Sequence, residues 1–325
     1  MKPFAYTRIP VILLAALALT ACPKDKHHHD DPPPVTTPPP SPIFYVNAGT
    51  GLDTNPGTQA SPFKTITHAL TVATTSGSTV NVAPGLYDVV NNGETFPITV
   101  PAGVLLIGDE TNKGAGTPTA TSIVGKGTPP AGFNATTVTV IPGTGSTVAG
   151  FTITSDTNSF GHDSLLLANS TVTVRNNTVT GATRYGVEVD ATTNHVISGN
   201  RIVNNGGSGL GFVKGGVGSK VQSNVISGNP FGVEYDVDGG DLGGGSAGST
   251  GGNVLSCNSF NDLIVGTPTA ISISAKNNLW DHTNPTLGCD FSGSGSGIDI
   301  CDVSAAPATI TTTGSAQTVN PAPCP

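Results

Sequence analysis

The sequence predicts an all-β solenoid, a parallel β-helix with a short N-terminal capping helix. Three observations predict it. First, one phrase recurs as VRNNTV (174–179), ISGNRIV (197–203) and VQSNVIS (221–227), and a second as YGVEVD (185–190), SGLGFV (208–213) and FGVEYD (231–236). Gly186, Gly209 and Gly232 mark steps of 23 and 23 residues. A repeat of this length is one structural unit stacked on copies of itself, because such a unit cannot bury its apolar face alone. Second, only 10% of residues are charged and 5% aromatic, while Gly contributes 43 and Pro 26 of the 325. That composition suits turn-rich β-structure and not a helical bundle. Third, short Thr/Val/Ile/Asn strands are separated by turns too long for tight hairpins, as coil-by-coil parallel winding requires.

The formal charge of −8 comes without any basic cluster able to release phosphate counterions, which argues against nucleic-acid binding. Loss of an N-terminal leader carrying Lys2 and Arg8 takes the charge to −10. A diffusely acidic surface ordinarily serves solubility.

Residues 1–21 read as a signal peptide: Lys2 and Arg8, an apolar run over 11–19, then small residues. The run is short of the roughly 20 residues a bilayer span needs. Leu19-Thr20-Ala21-Cys22 resembles the lipobox of bacterial lipoproteins. The resemblance implies cleavage before Cys22, acylation of its thiol and amine, and a membrane partner held by several acyl chains at ~0.8 kcal/mol per buried CH₂. Pro23 follows Cys22, so the aspartate signal for inner-membrane retention is absent, which points to the outer membrane in a Gram-negative cell. The rest of 22–42, PKDKHHHDDPPPVTTPPPSP, is too rich in proline to pack and is expected to be a tether. Its His27, His28, His29, Asp30 and Asp31 read as a solvated linker before they read as a weak metal site.

The folded domain is expected over 43–285, beginning at the β-prone Phe44-Tyr45-Val46. Ser61 is placed as N-cap with Pro62 at N1 of a helix whose Phe63, Ile66 and Leu70 share one face and shield the open first coil. Strands follow at 80–82, 98–100, 104–107, 122–124, 137–141 and 151–153. The runs YVNAGTGLDTNPGTQASPFKTITHAL (45–70), VNVAPGLYD (80–88), NGETFPITVPAGVLLIGD (92–109) and LWDHTNP (279–285) resemble secreted bacterial right-handed parallel β-helix proteins. Those proteins carry a domain of unassigned role within the pectate-lyase-like group. The resemblance implies a single-stranded right-handed parallel β-helix and a packing role for Trp280. It implies no single activity, because the group holds lyases, hydrolases, epimerases and adhesins.

Aligning the phrases gives columns. Ile153, Val179, Ile202, Ile226, Phe260 and Leu279 are expected to stack inward, and Asn177, Asn200, Asn224, Asn258 and Asn277 to form an amide ladder. In the second phrase Val187, Leu210 and Val233 point inward. Alternation then sends Glu188, Gly211 and Glu234 outward, with Asp190, Val213 and Asp236 in a second outward column. Glu188 and Glu234 fall ~9.6 Å apart across one coil, near the roughly 6.5–9.5 Å that separates acid and base in inverting glycosidases. Glu188, Glu234, Asp190 and Asp236 are therefore the catalytic candidates, and Tyr185, Phe231, Asp238 and Asp241 the candidate binding residues for a polysaccharide. Ca²⁺ is the cofactor such carboxylates could hold. The same acids also serve an exposed sheet simply by keeping it soluble and unpaired.

Against catalysis, Arg175, Arg184 and Arg201 match no lyase motif, and the aspartate signature of polygalacturonase-like hydrolases is absent. His162 and His195 stand alone, and Asp156, His162 and Asp163 make only a weak grouping. No phosphate loop, zinc spacing or nucleophile elbow is present. The stretch 239–252, GGDLGGGSAGSTGG, lengthens the Asn224–Asn258 step to 34 residues and is expected to leave the solenoid as a flexible loop beside the carboxylates. Residues 286–325 form a Gly/Ser/Thr-rich tail. Cys257, Cys289, Cys301 and Cys324 allow three pairings, and loop length favours Cys289–Cys301 with Cys257–Cys324. The expected protein is a lipid-anchored envelope module of roughly nine coils. It either binds glycan or mediates surface contact, or acts on polysaccharide through the outward carboxylates.

Overall fold

A computed structural model describes residues 41–155, 160–190, 192–289, 291 and 298–317. The expected signal peptide, Cys22, the histidine tract, the expected tether up to residue 40, Asp156 and Cys324 lie outside these residues. Among the described residues, no helix is long and apolar enough to cross a membrane.

Among the described residues the chain winds through three long parallel sheets, visited in turn, and a fourth of two strands, Ser272–Ser274 and Thr309–Thr311. Strand Thr173–Arg175 lies on face one, Thr178–Val179 on face two and Val187–Val189 on face three, after which Val196–Ser198 returns to face one. Face one has seven strands, face two nine and face three eight, all paired in parallel and in register from coil to coil. This is the parallel β-helix the repeat predicts.

Its interior is three apolar columns. Leu106, Val148, Val174, Ile197 and Val221 stack on face one, Ile153, Val179, Ile202, Ile226 and Leu255 on face two, and Val140, Leu165, Val187, Leu210, Val233, Leu263 and Ile300 on face three. All but Ile300, which is 2% exposed, are fully buried. Phe260 and Leu279 are not in the face-two column. Val254 pairs with Leu279, which brings Leu255 and Trp280 into that place.

Two corners of the coil use one device: a residue in the left-handed region followed by an inward asparagine. At the first corner Asn176, Gly199, Ser223, Gly252 and Asn277 have φ between 52° and 73°. Short polar side chains and glycine tolerate that region where branched ones do not. The asparagines behind them, Asn177, Asn200, Asn224, Asn253 and Asn278, form the ladder, each Nδ2 donating to the next Oδ1 at 3.0–3.1 Å. At the second corner Asn204, Gly228 and Cys257 turn the chain, and Asn205, Asn229 and Asn258 make a second ladder at 3.0 Å. Asn258 thus belongs to the other corner, and Asn277 is a turning residue, not a rung.

The 239–252 stretch is a coil, not a loose excursion. Asp241 pairs with Lys220 as a bridge continuing face one, Gly243 pairs with Ala275, and Leu242 is fully buried. The Asp241 carboxylate accepts from the backbone of Gly243 (2.8 Å), Gly245 (3.0 Å) and Ser249 (3.1 Å). A Cβ on Gly245 would lie 2.8 Å from Asp241 Cγ, so the glycine is needed for the carboxylate to seat. Asp241 is therefore a loop organiser and is unavailable as a binding residue.

The helix runs Ile66–Val72 and is capped by Thr65, whose Oγ1 accepts from His68 N at 3.0 Å. Ser61 instead closes a turn onto Thr58, and Phe63 bridges to Val46 ahead of the helix. Asp53 and Glu94 supply acceptors for amides that the helix start leaves open: Asp53 Oδ1 takes Lys64 N and Thr65 N at 2.9 Å, and Glu94 Oε1 takes Ile66 N at 2.6 Å. Ile66, Ala69 and Leu70 bury against the first coil, as a cap should.

Winding continues past Pro285. Ile300–Asp302 pairs with Asn261–Val265, and Thr309–Thr311 with Ser272–Ser274, so these described stretches of the expected tail continue the solenoid. Among the described residues eight coils are complete, with Ile43–Val46 before them and two further strands after. Cys289 and Cys301 form a disulfide with Cα atoms 4.6 Å apart, and Cys257 is also disulfide-bonded.

Candidate functional site

The outward columns of face three are in the expected register: Glu188 pairs with Gly211 and Gly211 with Glu234. Their environments divide them. Glu188 is fully buried, and its Oε2 accepts from Arg184 Nη2 at 2.5 Å. The same guanidinium grips Asp163 on the preceding coil, through Nε at 3.0 Å and Nη2 at 2.5 Å, and Asp163 Oδ1 also accepts from Tyr185 N at 3.0 Å. One cation thus faces two buried carboxyl groups, and Glu188 Oε1 has no partner. Burial, reinforced by the neighbouring Asp163, pushes the Glu188 carboxyl up to about 9, so it holds its proton at neutral pH.

The gap over Gly211 is filled. A Cβ on Gly211 would meet Tyr185 Cε1 at 2.5 Å and Cδ1 at 2.6 Å, so the tyrosine ring lies across the glycine between Glu188 and Glu234. Arg184 stacks on that ring with its Cζ 4.8 Å from the centroid. Burial, then the charges of Glu234 and Asp236, raise the Tyr185 hydroxyl above the usual phenol range. The space needed for a catalytic water between the two glutamates is therefore occupied, and the pair does not form an inverting acid–base site.

Asp190 is buried and paired with Lys214 Nζ at 3.0 Å. Lys214 also reaches the Gly132 carbonyl at 3.4 Å, tying a loop from an earlier coil to this edge. Glu234 and Asp236 are half-buried, and Glu234 Oε2 accepts from Ser208 Oγ. Burial, then the Glu234 charge, holds Asp236 up to about 6. Phe231, half-buried on the same strand, stacks with Phe260 at 5.1 Å between centroids, and Asp238 is exposed. The accessible part of the site is thus the end containing Phe231, Glu234, Asp236 and Asp238. Ca²⁺ has no evident seat among Glu188 and Asp190, whose oxygens already face Arg184 and Lys214.

The family model described as "Protein of unknown function (DUF1565)" matches residues 49–287, most of the chain. The chain belongs to the DUF1565 family. No curated protein matches it. Among solved structures it is similar to the pectate lyase Pel9A, at 15% identity over 86% of this chain and 79% of that one, with a TM-score of 0.48. A pectin methylesterase from Aspergillus niger shows 14% identity, 86% and 88% coverage and a TM-score of 0.42. A GH136 lacto-N-biosidase from Eubacterium ramulus shows 11% identity, 83% and 68% coverage and a TM-score of 0.36.

Several residues of this DUF1565 protein that shape the face were not assigned to it from sequence. Asp163, Ser208 and Lys214 come from neighbouring coils, and the signal that links them is coil register: Asp163, Tyr185, Ser208 and Phe231 follow one another across the sheet. His162 and His195 are structural. The His162 ring nitrogens meet Thr137 and Thr139 hydroxyls at 3.0 and 3.1 Å. Burial holds the His195 imidazole down to about 4, and its Nε2 meets Thr192 Oγ1 at 2.9 Å. Trp280 is fully buried with Nε1 donating to Ser315 Oγ at 3.0 Å, which is the packing role expected of it.

Proposed function

We propose that this protein is a lipid-anchored envelope module whose third face binds glycan through Phe231, Glu234 and Asp236 without cleaving it. One observation carries the reading. The carboxylates best placed for acid–base work are buried against cations, and Tyr185 covers the glycine between them. What remains open is an aromatic ring beside two half-buried carboxylates, a pairing that suits stacking on a sugar ring and acceptance of its hydroxyl protons. Negative charge at this end disfavours polyuronates, so neutral or amino-bearing glycans are the expected class. The enzymatic reading has its own support in Asp236, held up to about 6 beside Glu234 as an acid–base pair would be.

A polysaccharide panel separates the two. Gel retardation without new reducing ends or unsaturated product is expected. Phe231→Ala should weaken retention about two- to tenfold, since an aromatic contact contributes about 0.5–1.5 kcal/mol. Product formation that disappears in Glu234→Gln would instead establish the enzyme. The anchoring half rests on Leu19-Thr20-Ala21-Cys22, and Cys22→Ala should abolish acyl-chain labelling and move the protein from the membrane fraction. Retention of label in that variant would defeat it.

A further inference from the structure

The glycine column that marks the repeat ends in carboxylates. Phe231 pairs with Asn261 and Val233 with Leu263, so Gly232 lies beside Asp262. Leu263 pairs with Ile300, so Asp262 lies beside Asp299. In the earlier coils the position must be glycine: a Cβ would come within 2.8 Å of Asn205 Nδ2 at Gly186, 2.9 Å of Asn229 Nδ2 at Gly209 and 2.7 Å of Asn258 Nδ2 at Gly232. At Asp262 the second ladder has ended, and Asn258 Nδ2 donates to Asp262 Oδ1 at 2.7 Å. The last amide of the second ladder thus ends on an acid, which is stacked on another acid one coil away.

Stacked like charges ~4.8 Å apart are destabilising, most of all away from water. Asp262 and Asp299 are 2% and 1% exposed. Asp281, at the corner after the Leu279–Trp280 strand, joins them, and one oxygen from each of the three lies within 4.8 Å of the others. Asp299 is satisfied by Asp281 N (3.1 Å), Thr286 N (2.7 Å), Thr286 Oγ1 (2.8 Å) and His282 Nδ1 (2.9 Å). Asp281 Oδ2 accepts from Cys257 N at 3.0 Å. Asp262 Oδ2 and Asp281 Oδ1 are buried with no partner at all. Among the described residues, the one basic side chain paired with the trio is His282.

We propose that Asp262, Asp281 and Asp299 bind a calcium-class divalent cation that fastens the last coils of the solenoid. The donor set is all oxygen and anionic, which selects a hard cation over zinc or copper. Ca–O bonds of about 2.3–2.6 Å let three oxygens within 4.8 Å of one another share one ion, with carbonyls and water completing the shell. The ion would join Asp262 on face three to the corner bearing Asp281 and to Asp299 of the following coil. This inference does not rest on the proposed glycan-binding reading.

The test uses the full chain, stripped with chelator and then titrated with Ca²⁺ alone. Ca²⁺ at about a hundred times its dissociation constant should raise Tm by about 5 °C or more. Trp280 is the single tryptophan of the chain and adjoins Asp281, so Tb³⁺ excited through the indole should luminesce and be displaced by Ca²⁺. Asp262→Asn should lose both responses, while Asp88→Asn, in the first coil, should keep them. Asp281→Asn provides the second variant should the first fail to fold. Absence of both responses in the wild-type chain, or their survival in the folded Asn variants, would overturn the proposal.

Discussion

Asn200→Leu should destabilise the protein by about 2–4 kcal/mol with an unchanged denaturant m-value. Leucine shares asparagine's branched outline but has bulkier ends, so the lost hydrogen bonds are joined by a smaller overpacking cost. Asn200 Oδ1 accepts from both Asn177 N (3.0 Å) and Asn177 Nδ2 (3.1 Å), while its own Nδ2 donates to Val174 O (2.9 Å) and Asn224 Oδ1 (3.0 Å). Removing the amide leaves Asn177 N without an acceptor in a fully buried corner and takes one bond each from Asn177 Nδ2, Val174 O and Asn224 Oδ1. Each orphaned buried group costs about 1–3 kcal/mol. Urea melts of the two proteins measure the difference. A loss below about 0.5 kcal/mol would mean that the ladder is incidental.

Arg184→Met should be the most damaging change on face three, at about 3–5 kcal/mol near neutral pH, because breaking a buried ion pair strands its partner. Arg184 keeps 23% of its side chain exposed, whereas Asp163 and Glu188 have none. The pH dependence has a definite sign. The Glu188 carboxyl is held up to about 9 in the fold against an ordinary 4.5, so between these values the native state carries a proton that the unfolded chain has lost. Stability from this group is complete below about pH 4.5 and falls as pH rises toward 9. Glu188→Gln keeps a neutral side chain at every pH. It should therefore match wild type near pH 5 and exceed it in Tm by pH 9. A wild-type Tm that rose over this interval relative to Glu188→Gln would reverse the assignment.

The inward columns and the first three rungs of the asparagine ladder were legible in the sequence because three consecutive coils spell the same phrase at nearly constant length. Legibility failed where that regularity did. The 239–252 insertion lengthens one coil, and both corners use a left-handed residue followed by asparagine, so Asn258 aligned equally well with either ladder. Leu242 is surrounded by glycines, which read as a loop until Asp241 is seen to hold their amides. The carboxylate columns were placed correctly, but their chemistry was not. Alternation tells which way Glu188 points and is silent about what covers it. The cover comes from Tyr185, bent over Gly211, and from Asp163 on the preceding coil, outside the repeated phrases. For the same reason the acids at Asp262 and Asp299 went unassigned. They occupy the glycine column, but only the register of the last coils brings them together.

One row of outward acids has two halves, a buried neutralised half at Glu188 and an accessible half at Glu234 and Asp236. Following the side-chain carboxyl carbons of isotopically labelled Glu and Asp through a pH titration tests it directly. Glu188 is expected to titrate near 9 and Asp236 near 6. A Glu188 transition in the ordinary range of about 4–5 would contradict it, and would return Glu188 to the catalytic candidates.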